Sequence, residues 1–115
     1  MKTVEEGSIV EIDVDDTRGH EQRGRRPALV VSVTPFQEAI GLAVVCPITT
    51  HGGRAQRARN DLEVILPAGL PVKGVVLVQH VRTIDLGARN ASQVTVCPRA
   101  TLLAVRARLK AILGV

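Results

Sequence analysis

Ser8-Ile9-Val10-Glu11-Ile12-Asp13-Val14 carries the clearest strand signal in the chain. Val10, Ile12 and Val14 alternate with Glu11, Asp13 and Asp15, a period of two that predicts a half-buried strand. Downstream, Ala28–Val33 and Leu42–Cys46 are continuous apolar runs rich in Val. Short runs of this type, bounded by Pro and Gly, predict strands buried on both faces or lying at a barrel core. Leu62–Leu66 is another short strand candidate, Gly74–Val81 a longer one that can continue to Ile84, and Gln93–Val96 a weak last one. Thr34-Pro35, His51-Gly52-Gly53 and Pro67-Ala68-Gly69-Leu70-Pro71 read as turns between them.

The C-terminal end changes period. From Pro98 to Leu113, Leu102, Val105, Leu109 and Ile112 recur at offsets of three and four, with Arg99, Arg106, Arg108 and Lys110 among the remaining positions. Pro near the first turn, cations in the last and Gly114 as a stop predict an amphipathic helix with a solvated basic face. Six short strands and one terminal helix read as a small, strongly bent antiparallel sheet or partly open barrel, with the helix packed on it. At 115 residues the chain is expected to be one domain, 1–115.

Composition narrows the function. Phe36 is the sole aromatic residue, so the core is aliphatic and a surface of stacked rings, as in many single-strand binders, is excluded. The net charge is +4, unevenly spread. Six of the eleven acids lie in the first sixteen residues, whereas bases gather at Arg18–Arg26, Arg54–Arg59 and Arg99–Lys110. Basic clusters in loops suit a polyanionic partner. Cys46 and Cys97 each precede a proline and form neither a CxxC nor a zinc pattern, so buried thiols are expected. The N-terminus lacks an apolar signal-type segment, and no apolar run approaches the ~18 residues that span a bilayer. A cytoplasmic protein is expected.

Between the first two strands lies Gly19-His20-Glu21-Gln22-Arg23-Gly24-Arg25-Arg26-Pro27. A connecting loop needs Gly, Pro, Asn or Asp; it does not need three forked, phosphate-binding side chains beside a group that titrates near neutral pH. A solvated turn is the alternative reading for this loop taken alone. A second polar cluster, Pro47-Ile48-Thr49-Thr50-His51-Gly52-Gly53, ends another apolar run and favours a phosphodiester site.

In order, the pieces are Gly7-Ser8-Ile9-Val10, Gly19-His20-Glu21-Gln22, Arg26-Pro27-Ala28-Leu29-Val30-Val31, Cys46-Pro47-Ile48-Thr49-Thr50, and Gly74-Val75-Val76-Leu77 through Arg82-Thr83-Ile84-Asp85. The chain resembles the MazF/PemK (Kid) toxins of bacterial toxin–antitoxin modules over nearly its whole length. That resemblance implies an SH3-like β-barrel with helices, of the CcdB/MazF type, assembled as a homodimer. It also implies a metal-independent, cofactor-free endoribonuclease that cuts single-stranded RNA at short specific sequences. The products would be 2′,3′-cyclic phosphate and 5′-hydroxyl ends, and a cognate antitoxin with an acidic disordered tail would neutralise the activity.

Carried over by position, the resemblance places the catalytic arginine at Arg26, the catalytic threonine at Thr49 and the histidine of the PemK branch at His20. Glu21 and Gln22 stand at RNA-contacting positions, and Arg25, Thr50, Arg54, Arg57, Gln79 and His80 are further RNA-binding candidates. The chain departs from the pattern where the PemK branch has an arginine and an aspartate, here Leu77 and Gln79. An amide cannot act as a general base, which leaves His20, Glu21 and His80 as alternatives. No metal site is expected from His20, His51 and His80, which lack ligand spacing.

The chemistry explains these residue types. Transesterification needs the 2′-hydroxyl deprotonated, charge on the phosphorane stabilised and the leaving oxygen protonated. Arg26 stays charged at any working pH and its fork holds two phosphate oxygens. Thr49 offers a hydroxyl on a rigid strand end, and His20 has an ordinary pKa near ~6.5, suited to proton transfer. Two other readings stay open. One is a gyrase-poisoning toxin of the same fold, disfavoured because Lys110–Val115 carries no aromatic residue. The other is a non-catalytic RNA-binding member, kept open by Gln79.

Overall fold

The computed structural model describes residues 3–14, 24–50 and 57–115. Along the chain run β1 (Ser8–Asp13), β2 (Arg25–Val30), α1 (Thr34–Ile40), β3 (Ala43–Thr49), β4 (Glu63–Ile65), β5 (Val75–Leu77), a 3-10 turn at Val78–His80, β6 (Arg82–Ile84), β7 (Ser92–Val96) and α2 (Arg99–Leu113). The strands are antiparallel, in the order β4-β5-β3-β2-β1-β7, with β6 also pairing β3. Among the described residues β4 and β7 stay unpaired with each other, so the expected barrel is present as a strongly bent sheet that does not close.

β3 is where the sheet bends. On one side it pairs β2, Ala28 opposite Pro47 and Val30 opposite Val45. On the other it first pairs β6 at Ala43–Val45 and then β5 at Ile48–Thr49. The long strand predicted from Gly74 is thus two short ones. The 3-10 turn between them sets the exposed Gln79 and His80 outside the ladder while Val78 remains buried.

Both faces of the central strands are covered, which is why their sequences run continuously apolar. Ile9, Leu29, Val31, Cys46, Ile48, Val76 and Val78 pack with Leu102 and Val105 of α2. Val10, Ile12, Ala28, Val30, Ala43 and Val45 face the other way, against Val4, Ile84 and Leu86. Full burial of each Val, Leu or Ile side chain among them is worth about 1.5–3 kcal/mol. Both cysteines are free and buried, as their apolar settings implied, and burial pushes the Cys46 thiol up to about 12.

Three features depart from expectation. The Thr34-Pro35 "turn" is the start of helix α1, with Pro in its first turn and Gly41 closing it at φ 80°, where only glycine is comfortable. α1 also supplies Gln37, buried, whose amide clasps Val4 in both directions: Val4 N–H donates to Oε1 at 3.0 Å and Nε2 donates to the Val4 carbonyl at 2.9 Å. Second, β2 begins three residues before the apolar run, because Arg25 and Arg26 pair with Asp13 and Ile12 of β1. Third, the basic face of α2 is not simply solvated. Arg106 donates through Nε and Nη2 to the Val31 carbonyl at 3.2 and 2.8 Å and pairs with Glu6 at 2.7 Å. Arg108 donates to the Asp61 carbonyl at 3.0 Å, and Arg99 pairs with Glu6 at 3.4 Å.

Candidate active site

The start of β2 opens into a cleft of about 420 Å³. Glu11 of β1, Arg25, Arg26 and Pro27 of β2, Thr50 just past β3, and Pro71, Val72 and Lys73 ahead of β5 line it. The strand order makes this grouping: β1, β2, β3 and β5 lie side by side, so the start of β2, the end of β3 and the start of β5 meet at one end of the sheet.

Arg25 and Arg26 are neighbours in sequence with different chemistry. The Arg25 guanidinium donates to Asp13 Oδ1 at 3.0 Å, to the Glu11 carbonyl at 2.8 Å and to Ser92 Oγ at 2.8 Å. It binds β2 to β1 and β7, and Asp13 is held below the usual carboxylate range first by the Asn90 amide and then by Arg25. Arg26, half-buried, makes one hydrogen bond, Nη1 to the Arg25 carbonyl at 3.2 Å, and no ion pair among the described residues. Its side chain lines the cleft. A guanidinium held by backbone yet not neutralised by a carboxylate is suited to a phosphate.

Thr49 is the last residue of β3, half-buried and opposite Val75. It is Thr50, exposed, that lines the cleft. The end of β3 is held from below by Gly74: a Cβ there would stand 2.5 Å from the Thr49 carbonyl oxygen and 2.6 Å from Ile48 Cγ2. Any larger residue would displace the strand end that carries both threonines.

The remaining candidates divide. Arg57 is exposed near the described end of the loop leading to β4. Gln79 and His80 sit in the 3-10 turn, and Gln79 Nε2 donates to Glu63 Oε2 at 2.7 Å. His20, Glu21, Gln22 and Arg54 lie outside the described residues. Sequence reasoning missed Lys73 and Glu63. Lys73 is one isolated base between Pro71 and Gly74, Glu11 belongs to the alternation that marks β1, and nothing local distinguishes Glu63. Among the described residues no three His, Cys, Asp or Glu side chains come together as a metal-ligand set.

Residues 5–113 match the family described as "PemK-like, MazF-like toxin of type II toxin-antitoxin system". The chain is 36% identical over 110 residues to "Endoribonuclease PemK" of Escherichia coli, covering 96% of this chain and 82% of that protein. It is 44% identical over 91 residues to "Endoribonuclease toxin ChpB" of E. coli K12, covering 78% and 77%. Among solved structures, MazF of Deinococcus radiodurans (form I) superposes with a TM-score of 0.80 at 39% identity, covering 98% of both chains. MazF in a MazE–MazF complex of the same organism (form II) gives 0.84 at 38% identity, covering 97% and 96%. The chain belongs to the PemK/MazF family of type II toxins, whose curated relatives are endoribonucleases, and it has that family's fold.

Proposed function

We propose that this chain is the toxin of a type II toxin–antitoxin pair and a metal-independent endoribonuclease that cuts single-stranded RNA at a short specific sequence. The observation that carries the reading is Arg26: a half-buried guanidinium in a cleft, anchored by one backbone bond and without a carboxylate partner among the described residues. It supports a role as stabiliser of the charge that develops on phosphorus. Lys73 and Arg57 would hold the flanking phosphates, contacts that position RNA without reading it. The hydroxyls of Thr49 and Thr50 would orient the reacting phosphate, and His20 or Glu21 would move the proton of the 2′-hydroxyl. Base selection would rest on hydrogen bonds to splayed base edges.

The solved MazE–MazF complexes among the relatives support a cognate antitoxin, and the basic cleft supports an acidic tail as the part that occupies it. A homodimer and a cytoplasmic location belong to the same reading; no helix among the described residues is long and apolar enough to cross a membrane. Purified, antitoxin-free protein incubated with long single-stranded RNA in excess EDTA tests it, with the new 5′ ends mapped. Discrete cuts at one short motif, leaving 5′-hydroxyl ends, are expected. An intact RNA with folded protein would overturn the enzymatic reading in favour of a binding module.

A further inference from the structure

Among the described residues the cleft is lined by three bases, Arg25, Arg26 and Lys73, and by a single acid, Glu11. Alternation along β1 sets Ile9, Glu11 and Asp13 on one face of the strand. Ile9 lies in the core, and Asp13 is held at both oxygens, by Arg25 at 3.0 Å and by Asn90 at 2.8 Å. Glu11, half-buried between them, is left open. Among the described residues its carboxylate takes no hydrogen bond and no ion pair, and Arg25 reaches only its backbone carbonyl, at 2.8 Å. Pro27, opposite it across the ladder, has no side-chain donor to offer. An unpaired carboxylate repels phosphates, so it has no use for the backbone of an RNA in this cleft. What it can take from RNA is the donor groups of a base edge.

We propose that Glu11 is a specificity-determining residue that accepts two hydrogen bonds from a guanine of the RNA in this cleft. The inference rests on the ribonuclease reading above and names a base read within it. Two carboxylate oxygens call for two donors side by side. Guanine alone presents that pair, N1–H and the N2 amino group, on its Watson–Crick edge. Adenine N6 and cytosine N4 each stand beside a ring-nitrogen acceptor, and uracil N3–H stands between two carbonyl oxygens. Each of those three bases therefore sets an acceptor against the second carboxylate oxygen. A splayed base in single-stranded RNA leaves its Watson–Crick edge free to be read. Glu11 belongs to a strand paired on both sides, with β2 and with β7, so its carboxylate is carried on a rigid element.

The test titrates the purified protein with decamers of 2′-O-methyl ribonucleotides, which bind but cannot undergo transesterification. One decamer is all adenine; in the others every second base is guanine, cytosine or hypoxanthine, which is guanine without its 2-amino group. The guanine decamer is expected to bind more tightly than the adenine and cytosine ones by on the order of tenfold, the scale of a bidentate base contact. Hypoxanthine keeps one of the two donors and should lose most of that preference. Glu11→Gln sets an amide NH2 against the guanine donors, so the guanine-to-adenine ratio should fall toward one. Affinity for the adenine decamer should hold or rise, because a negative charge has left the cleft. A residue with a merely structural role would not move the ratio while sparing that affinity. Glu11→Ala decides the matter if Glu11→Gln fails to fold by thermal circular dichroism. Three results would overturn the proposal: equal binding of the guanine and adenine decamers by the wild type, equal binding of the guanine and hypoxanthine decamers, or a wild-type ratio in a folded variant. Cleavage mapping of unmodified RNA separates the two readings. An uncut RNA with the guanine preference intact removes the enzyme and keeps the contact; a cut RNA with no guanine preference does the reverse.

Discussion

Two arginine-rich regions of this molecule carry similar charge and do opposite work. On α2, Arg99, Arg106 and Arg108 are each bonded to the protein: a carboxylate at Glu6, a carbonyl at Val31, a carbonyl at Asp61. They fasten the helix to the strands' outlying connections. At the start of β2, Arg25 is used in the same way, while Arg26 beside it makes one backbone bond and no ion pair among the described residues. Counting bases does not separate the two regions; asking what each guanidinium already holds does. A cation whose donors are satisfied internally contributes stability, and one that is oriented but not neutralised is available to an anion.

The largest effect should come from the cleft. Arg26→Ala is expected to lower the rate of RNA cleavage by on the order of 10²–10³ while shifting the thermal midpoint little. Arg106→Ala should show the reverse. Loss of two bonds to the Val31 carbonyl is expected to destabilise the fold by about 1–3 kcal/mol, read by urea denaturation. The cleavage rate of the folded fraction should stay unchanged. If Arg26→Ala instead unfolds the protein and spares cleavage, the contrast between the regions is broken.

Smaller effects sharpen it. Lys73→Ala should reduce the slope of log affinity against log salt for single-stranded RNA by up to about 0.7, one phosphate contact, with sequence preference retained. An unaltered slope would remove Lys73 from the RNA path. The smallest is acid sensitivity on the helix side. Hydrogen bonding from Arg106, and its charge, hold Glu6 below the ordinary 4.5. A carboxylate lowered in the folded state adds stability above its ordinary pKa and loses it as pH falls through the lowered value. Glu6→Gln should therefore flatten the fall of the thermal midpoint below about pH 4.5, and an equally steep fall would show that the acid response arises elsewhere.

What the sequence disclosed follows from how far each signal reaches. The alternation around Val10 and the Val-rich runs fixed strands because burial on one or both faces imprints a local pattern. α1 was hidden because seven residues complete too few turns to display a period, and Thr34-Pro35 reads equally as a turn or as a helix start. Arg25 and Arg26 looked like loop because their strand character comes from β1, whose Asp13 and Ile12 lie across the ladder. At the site, Arg26 and the threonines were found through motif resemblance. Lys73 and Glu63 were not, since what distinguishes them is the end of a sheet and a partner sixteen residues away, neither of which is local.

Cys46 lies at the middle of the bent strand β3 with none of its surface exposed, and Cys97 lies at the joint between β7 and α2. In a chain without tryptophan or tyrosine, these two thiols are the natural clocks for its breathing. Both side chains lie in the core that α2 covers, together with Leu102 and Val105, so alkylation of either waits for the helix to lift away. Equal labelling rates in the native protein would show the helix departing as one unit, and a faster rate at Cys97 would show its first turn opening before the rest.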